Sequence, residues 1–130
     1  MNLNKVYKCM NCGSVIERVN DKESTLVCCG KNMIEQKPKT AEMALEKHVP
    51  YITESNDGKV LIKIGENEDH PMTEEHYIEF IEILTNTGKV IRHNLNPGDK
   101  PEAKFSVDKE KIIEVREFCN IHGLWNLNIQ

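Results

Sequence analysis

The sequence predicts a mainly β protein: a small cysteine-stapled metal unit over residues 1–37, then an antiparallel β-sandwich over residues 38–130. Three observations predict it. Four of the five cysteines, Cys9, Cys12, Cys28 and Cys29, crowd into the first 29 residues. From about residue 50 onward, short runs rich in Val, Ile, Phe and Tyr alternate with Gly, Asn, Asp and Pro, the punctuation of short strands. Across the 130 residues, 38 % are hydrophobic and 29 % charged, which suits one modest core and leaves the N-terminal unit short of one.

That unit has Val6, Tyr7, Val15, Ile16, Val19, Leu26, Val27, Met33 and Ile34 as its only sizeable apolar side chains, so it needs a staple. QKPKT, 36–40, reads as a polar linker. AEMALEKHVP, 41–50, reads as a short helical turn ending before Pro50. YITES and KVLIKIG flank Asn56-Asp57-Gly58, a strong hairpin signal. HYIEFIEILT, opened by His76, is the best strand, with Ile78 and Phe80 assigned to one face. Asn86-Thr87-Gly88 turns into KVIRHNL, and NPGDKP is a further turn. KFSV, KIIEVREFC and LWNLNIQ complete six or seven strands, the count of a sandwich.

The cysteines carry the first chemical signal. Cys9 and Cys12 stand three apart, close enough for one turn to aim both at a cation, and a glycine follows Cys12 and Cys29. Cys28 and Cys29 are adjacent, and neighbours in a strand point to opposite faces, so both reach one ion only if the backbone bends there. Zinc and iron both accept four thiolates. The alternatives are a disulfide pair or unligated thiols. The N-terminus has no apolar segment of the secretory kind, so the cytoplasm is the expected compartment, where clustered thiols usually hold metal. No run of 18 apolar residues predicts a membrane span. A net charge of −4 argues against a nucleic-acid partner.

The histidines carry the second. His48 precedes Val49-Pro50, His70 precedes Pro71, and His122 follows Cys119 by three, a spacing at which thiolate and imidazole can chelate together. A lone histidine is more often a surface or core residue than a ligand, and His93 is read as a surface residue. Glu74 and Glu75 stand near enough in sequence to be candidate partners for the outer ring nitrogens.

EKHVP at 46–50, HPMTEEHYIEFIEI at 70–83 and CNIHGLW at 119–125 resemble the signature segments of the superoxide reductase family. The adjacent cysteines with their preceding Cys-x-x-Cys resemble a desulforedoxin domain. Both together resemble the desulfoferrodoxin family, the two-iron superoxide reductases. The resemblance implies a rubredoxin- or desulforedoxin-like unit followed by an immunoglobulin-like sandwich. It implies a tetrathiolate iron held by Cys9, Cys12, Cys28 and Cys29. It implies a second, catalytic iron held by His48, His70, His76 and His122 in a square, with Cys119 as axial ligand and an open position opposite. Glu46 would lie near that position as a ligand of the ferric state, and Lys47 would face it as a cation.

The activity so implied is one-electron reduction of superoxide to hydrogen peroxide without oxygen release, detoxifying superoxide in an anaerobe or microaerophile. A small electron donor, rubredoxin in this family, and a homodimer are implied with it. Three other readings compete: a non-catalytic electron carrier built on the tetracysteine site, a zinc-ribbon interaction module, and superoxide dismutation.

Overall fold

The computed structural model describes residues 4–20, 22–40, 48 and 50–129. Most of the expected helical turn at 41–50, including Glu46 and Lys47, lies outside the described residues. The chain divides into two compact units, Met1–Lys37 and Pro38–Gln130.

In the first unit, β1 (Val6–Lys8) runs between β2 (Val15–Glu17) and β5 (Ile34–Gln36), antiparallel to both, while β3 (Val27–Cys28) and β4 (Lys31–Asn32) form a separate ribbon. Its buried apolar set among the described residues is Val6, Cys9 and Met33, while Val19 stays 89 % and Val27 64 % exposed. A core of that size cannot outweigh the entropy of ordering the chain, which is why the cysteines must contribute.

The second unit contains β6 (Lys39–Thr40), β7 (Pro50–Glu54), β8 (Val60–Ile64), β9 (Ile78–Thr85), β10 (Val90–Asn94), β11 (Glu102–Phe105), β12 (Ile112–Cys119) and β13 (Gly123–Asn128). They form a five-stranded sheet in the order β10-β9-β12-β13-β6 and a three-stranded sheet in the order β11-β8-β7. Val60, Ile62 and Ile64 of β8 and Phe105 of β11 share one buried cluster with Ile78, Ile81 and Ile83 of β9 and with Val115 and Cys119 of β12. The two sheets therefore enclose one core, and the mainly β class read from the sequence holds. The Asn56-Asp57-Gly58 turn joins β7 to β8, with Ser55 N donating to Lys59 O at 2.8 Å.

Three details differ from the sequence reading. Lys39–Thr40, expected as linker, pairs in parallel with Trp125 and Asn126 on the open edge of β13, so the sheet is not wholly antiparallel. Ladder pairing overrides the weak local signal of a charged dipeptide. The best strand begins at Ile78, because Thr73 and His76 close a turn on each other (Thr73 N to His76 O 2.9 Å) ahead of it. Phe80 does not share the face of Ile78. Between the pairs Phe118↔Phe80 and Cys119↔Ile78, β9 advances two residues while β12 advances one. That bulge turns Ile78 into the core and leaves Phe80 stacked on Phe118 at 5.7 Å.

On the face turned from the core, Arg116 Nε donates to Glu82 Oε1 at 2.7 Å, and both side chains are fully buried.

Candidate metal centres

Two donor clusters stand out among the described residues. In the first, the sulfurs of Cys9, Cys12, Cys28 and Cys29 lie within 4.8 Å of one another. The Cys-x-x-Cys turn works as its spacing suggested: Cys12 N lies 3.5 Å from Cys9 Sγ, and Gly13 N donates to Cys9 O at 2.9 Å. The adjacent pair is accommodated by a backbone bend, since Cys29 takes φ of 55°, a left-handed conformation that few non-glycine residues adopt. Sulfur separations of 3.6 Å for Cys12–Cys28 and 3.9 Å for Cys28–Cys29 bracket the roughly 3.8 Å edge of a tetrahedron with metal–sulfur bonds of about 2.3 Å. All five cysteines are free thiols, and the four of the first unit converge as a metal-binding group rather than as bonded pairs. The thiols already differ in acidity: Ser14 Oγ, 3.3 Å from Cys12 Sγ, and the Ser14 backbone hold Cys12 down to about 6, while hydrogen bonding to Cys12 pushes Cys28 up to about 12.

The second cluster lies at one end of the sandwich. Its contributors are His48 just ahead of β7, His70 in the β8–β9 connection, His76 in the turn before β9, Cys119 at the end of β12 and His122 in the β12–β13 turn. Ring centroids are 4.8 Å apart for His48–His70, 4.8 Å for His70–His76, 4.9 Å for His76–His122 and 4.9 Å for His122–His48. The four rings thus close a four-membered circuit of near-equal edges, with neighbouring planes inclined by 62° to 88°. For a planar square of that edge, half the diagonal is about 3.4 Å, which leaves room for an ion at metal–nitrogen distances of about 2.0–2.1 Å. Cys119 Sγ lies 3.9 Å from His122 Nδ1. The donor atoms of His48, His70, Cys119 and His122 fall within 4.8 Å of one another.

Local hydrogen bonds set which nitrogen faces inward. His70 Nδ1 lies 2.8 Å from Pro71 O, which places the proton on Nδ1 and leaves the Nε2 lone pair for a metal. His48 Nε2 and His122 Nδ1 face each other at 3.0 Å. The Cys-x-x-His turn repeats the geometry of the Cys-x-x-Cys turn, with His122 N lying 3.4 Å from Cys119 Sγ. Burial, then the neighbouring His70 and His122, holds His48 down to about 4, so its imidazole is neutral and able to ligate. Burial pushes the Cys119 thiol up, although the N–H groups of His122 and Ile121 oppose it. A bound cation reverses that preference, because a coordinating thiol gives up its proton.

Several surrounding groups were not anticipated. Trp125 stacks on His48 at 4.7 Å and 10°, Lys39 Nζ bonds His122 O at 2.9 Å, and the buried Glu117 carboxylate lies 3.8 Å from His48 Nδ1. Strand alternation could have revealed Glu117, two residues before Cys119 and hence on the same face. Glu74 and Glu75 side chains are exposed, and it is the Glu75 carbonyl that takes part, as acceptor from Asn120 Nδ2 at 3.0 Å. His93 is exposed and rests against Phe105, and it belongs to neither donor group.

A β-sandwich that gathers four imidazoles and a thiol at one end, preceded by a tetracysteine unit, defines a protein with two transition-metal sites. The family model described as Desulfoferrodoxin matches residues 40–128, and that of the desulfoferrodoxin N-terminal domain matches residues 1–35. The chain belongs to the desulfoferrodoxin family, and its two donor groups correspond to the family's two iron sites. It is 47 % identical over 122 residues to a desulfoferrodoxin of Syntrophotalea carbinolica, covering 94 % of each chain. It is 30 % identical to a superoxide reductase of Pyrococcus horikoshii, over 75 % of this chain and 98 % of that one. Among solved structures, the superoxide reductase from Treponema pallidum superposes with a TM-score of 0.74 at 26 % identity, covering 95 % of this chain and 96 % of that one.

Proposed function

We propose that this chain is a two-iron superoxide reductase. The observation that supports it is the closed circuit of His48, His70, His76 and His122 rings with Cys119 Sγ beside it. On this reading Cys9, Cys12, Cys28 and Cys29 hold the first iron, and the four histidines with Cys119 hold the second. Iron held by the second group would supply the one electron that, with two protons, converts superoxide to hydrogen peroxide, and a small donor protein of the rubredoxin kind would restore it.

The residues divide the remaining work. Neutral imidazoles add no charge of their own, so a divalent cation among them keeps most of its pull on a small anion. The Cys119 thiolate would remove one unit of that charge and donate electron density to the metal, as thiolates do in haem enzymes. Lys47, next to His48 in sequence, serves as the local cation that draws superoxide to a chain of net charge −4. It also orients a water for proton delivery. Glu46, two residues before His48 in sequence, would serve as an accessory ligand of the oxidised state. The activity removes superoxide in the cytoplasm of a cell living with little oxygen.

An interaction module has no need of four converging imidazoles, and an electron carrier built on the cysteines has no need of Cys119. The deciding experiment uses protein purified from iron-supplemented cells. Two irons per chain, with one peroxide formed per superoxide and no oxygen evolved, is the expected result. A colourless zinc protein, or oxygen released alongside peroxide, overturns the reading.

A further inference from the structure

We infer that Asn120 is a positioning residue that ties the His76 corner of the second metal site to the Cys119–His122 corner; this rests on the assignment of that site above. The ladder between β9 and β12 ends at Ile78↔Cys119, one residue short of Asn120. Beyond it the two ligand-bearing turns have no strand pairing to hold them together. Asn120 replaces that pairing with three hydrogen bonds. Its backbone N donates to Tyr77 O at 3.1 Å, its Oδ1 accepts from Tyr77 N at 2.9 Å, and its Nδ2 donates to Glu75 O at 3.0 Å.

These partners bracket His76 on both sides in sequence. The same segment is closed by the Thr73–His76 turn, where Thr73 Oγ1 accepts from His76 N at 3.1 Å. His76 is therefore held from behind by its own turn and from the side by Asn120. On the other strand, Cys119 precedes Asn120 directly, and the turn continues until His122 N reaches back to Cys119 Sγ at 3.4 Å. One side chain thus spans the gap between two corners whose rings stand 4.9 Å apart.

Asparagine is the side chain of this length that supplies a donor and an acceptor together, and the network requires both. Tyr77 N–H needs an oxygen and the Glu75 carbonyl needs an N–H, which fixes the amide orientation. Alanine removes both bonds. Aspartate keeps the acceptor but sets an oxygen against the Glu75 carbonyl. Neither change alters a metal donor atom or any residue of the tetracysteine unit.

The test uses full-length, metal-free protein titrated anaerobically with Fe(II) against a chromophoric chelator, comparing the parent with Asn120→Ala and Asn120→Asp. The second site of Asn120→Ala binds Fe(II) on the order of 10-fold more weakly, the lower end of what support groups around metal ligands contribute. The thiolate-to-iron absorption of the oxidised second site shifts in both variants. The tetracysteine absorption and the unfolding midpoint of the metal-free protein do not move. Parental affinity and absorption in both variants overturn the proposal. So does a fall in metal-free stability that tracks the loss of affinity, because Asn120 then serves the fold and not the site. Misfolding of both variants counts as that second outcome. A parent that binds Fe(II) normally at this site but yields no peroxide from superoxide refutes the proposed activity and leaves the Asn120 result standing.

Discussion

Glu117 places its carboxylate 3.8 Å from Nδ1 of His48, and neither group has a hydrogen-bond partner among the described residues. Both are buried, at 0 % and 3 % exposure. Burial pushes Glu117 well above the ordinary carboxyl range and holds His48 down to about 4. The two act on stability in opposite directions. The carboxyl, with its folded value raised, stabilises below about 4.5 and loses that contribution as the pH rises. The imidazole, with its value lowered, stabilises above about 6.5 and loses its contribution as the pH falls toward about 4. In metal-free protein, Glu117→Gln therefore gains stability relative to the parent as the pH rises from about 4.5. Urea unfolding midpoints at pH 4 and pH 7 measure it; a constant difference between parent and variant would disprove the assignment to Glu117.

Cys119→Ser separates the two metal sites. Its sulfur is buried and points into the imidazole cluster, far along the chain from the cysteines of the first unit. Peroxide production falls by more than the roughly 10–100-fold that changes around a metal's ligands usually cause. The visible absorption of the tetracysteine site is unchanged. Stopped-flow reduction of superoxide, with an absorption spectrum of the same sample, measures both. Retained activity identifies the tetracysteine iron as the working centre.

Much of this was legible because local rules and tertiary needs agree. The Asn-Asp-Gly turn, the cysteine pairs with their following glycines, and the β-rich segments after residue 50 each follow from residue chemistry over a few positions. The convergence of His48, His70, His76 and His122 was available only through family resemblance, since nothing in the spacing of four separate segments says that their rings meet. The bulge at the start of β9 was hidden, because one extra residue reverses a face without altering composition. The Lys39–Thr40 edge strand was hidden because its partner lies at the other end of the unit. Glu82 and Arg116 were hidden for a third reason: alternation marks a charged residue as solvent-facing, and the rule fails where two charges satisfy each other.

That pair supports a prediction independent of the metal sites. Glu82 and Arg116 are 0 % and 2 % exposed and bonded through Nε at 2.7 Å, with Arg92 a further 3.7 Å from Glu82 Oε2. Removing one partner strands a buried charge, so Glu82→Gln costs about 3–5 kcal/mol. Replacing both, Glu82→Leu with Arg116→Met, recovers most of that loss, since apolar side chains of similar size tolerate the site. Denaturant unfolding of the three proteins decides it. A double variant as unstable as the single one would show that the pair stabilises beyond mutual compensation.

Gly65 controls the approach of His70. It follows β8 with φ of 92°, and a Cβ there would run into the backbone carbonyl of Glu68. The tight path it allows returns the chain so that His70 N donates to Ile64 O at 3.2 Å, which delivers the imidazole to the cluster. Gly65→Ala meets both a disfavoured φ and a backbone collision, at a cost of about 1–3 kcal/mol. Because the obstacle is backbone, the connection itself must move and carry His70 with it. Fe(II) affinity at the second site then falls, while the tetracysteine site keeps its parental absorption. Thermal unfolding and an Fe(II) titration measure the two effects. A destabilised variant with parental Fe(II) affinity means that the His70 segment adjusts independently of Gly65, and parental values in both measurements mean that the connection absorbs a methyl group without strain.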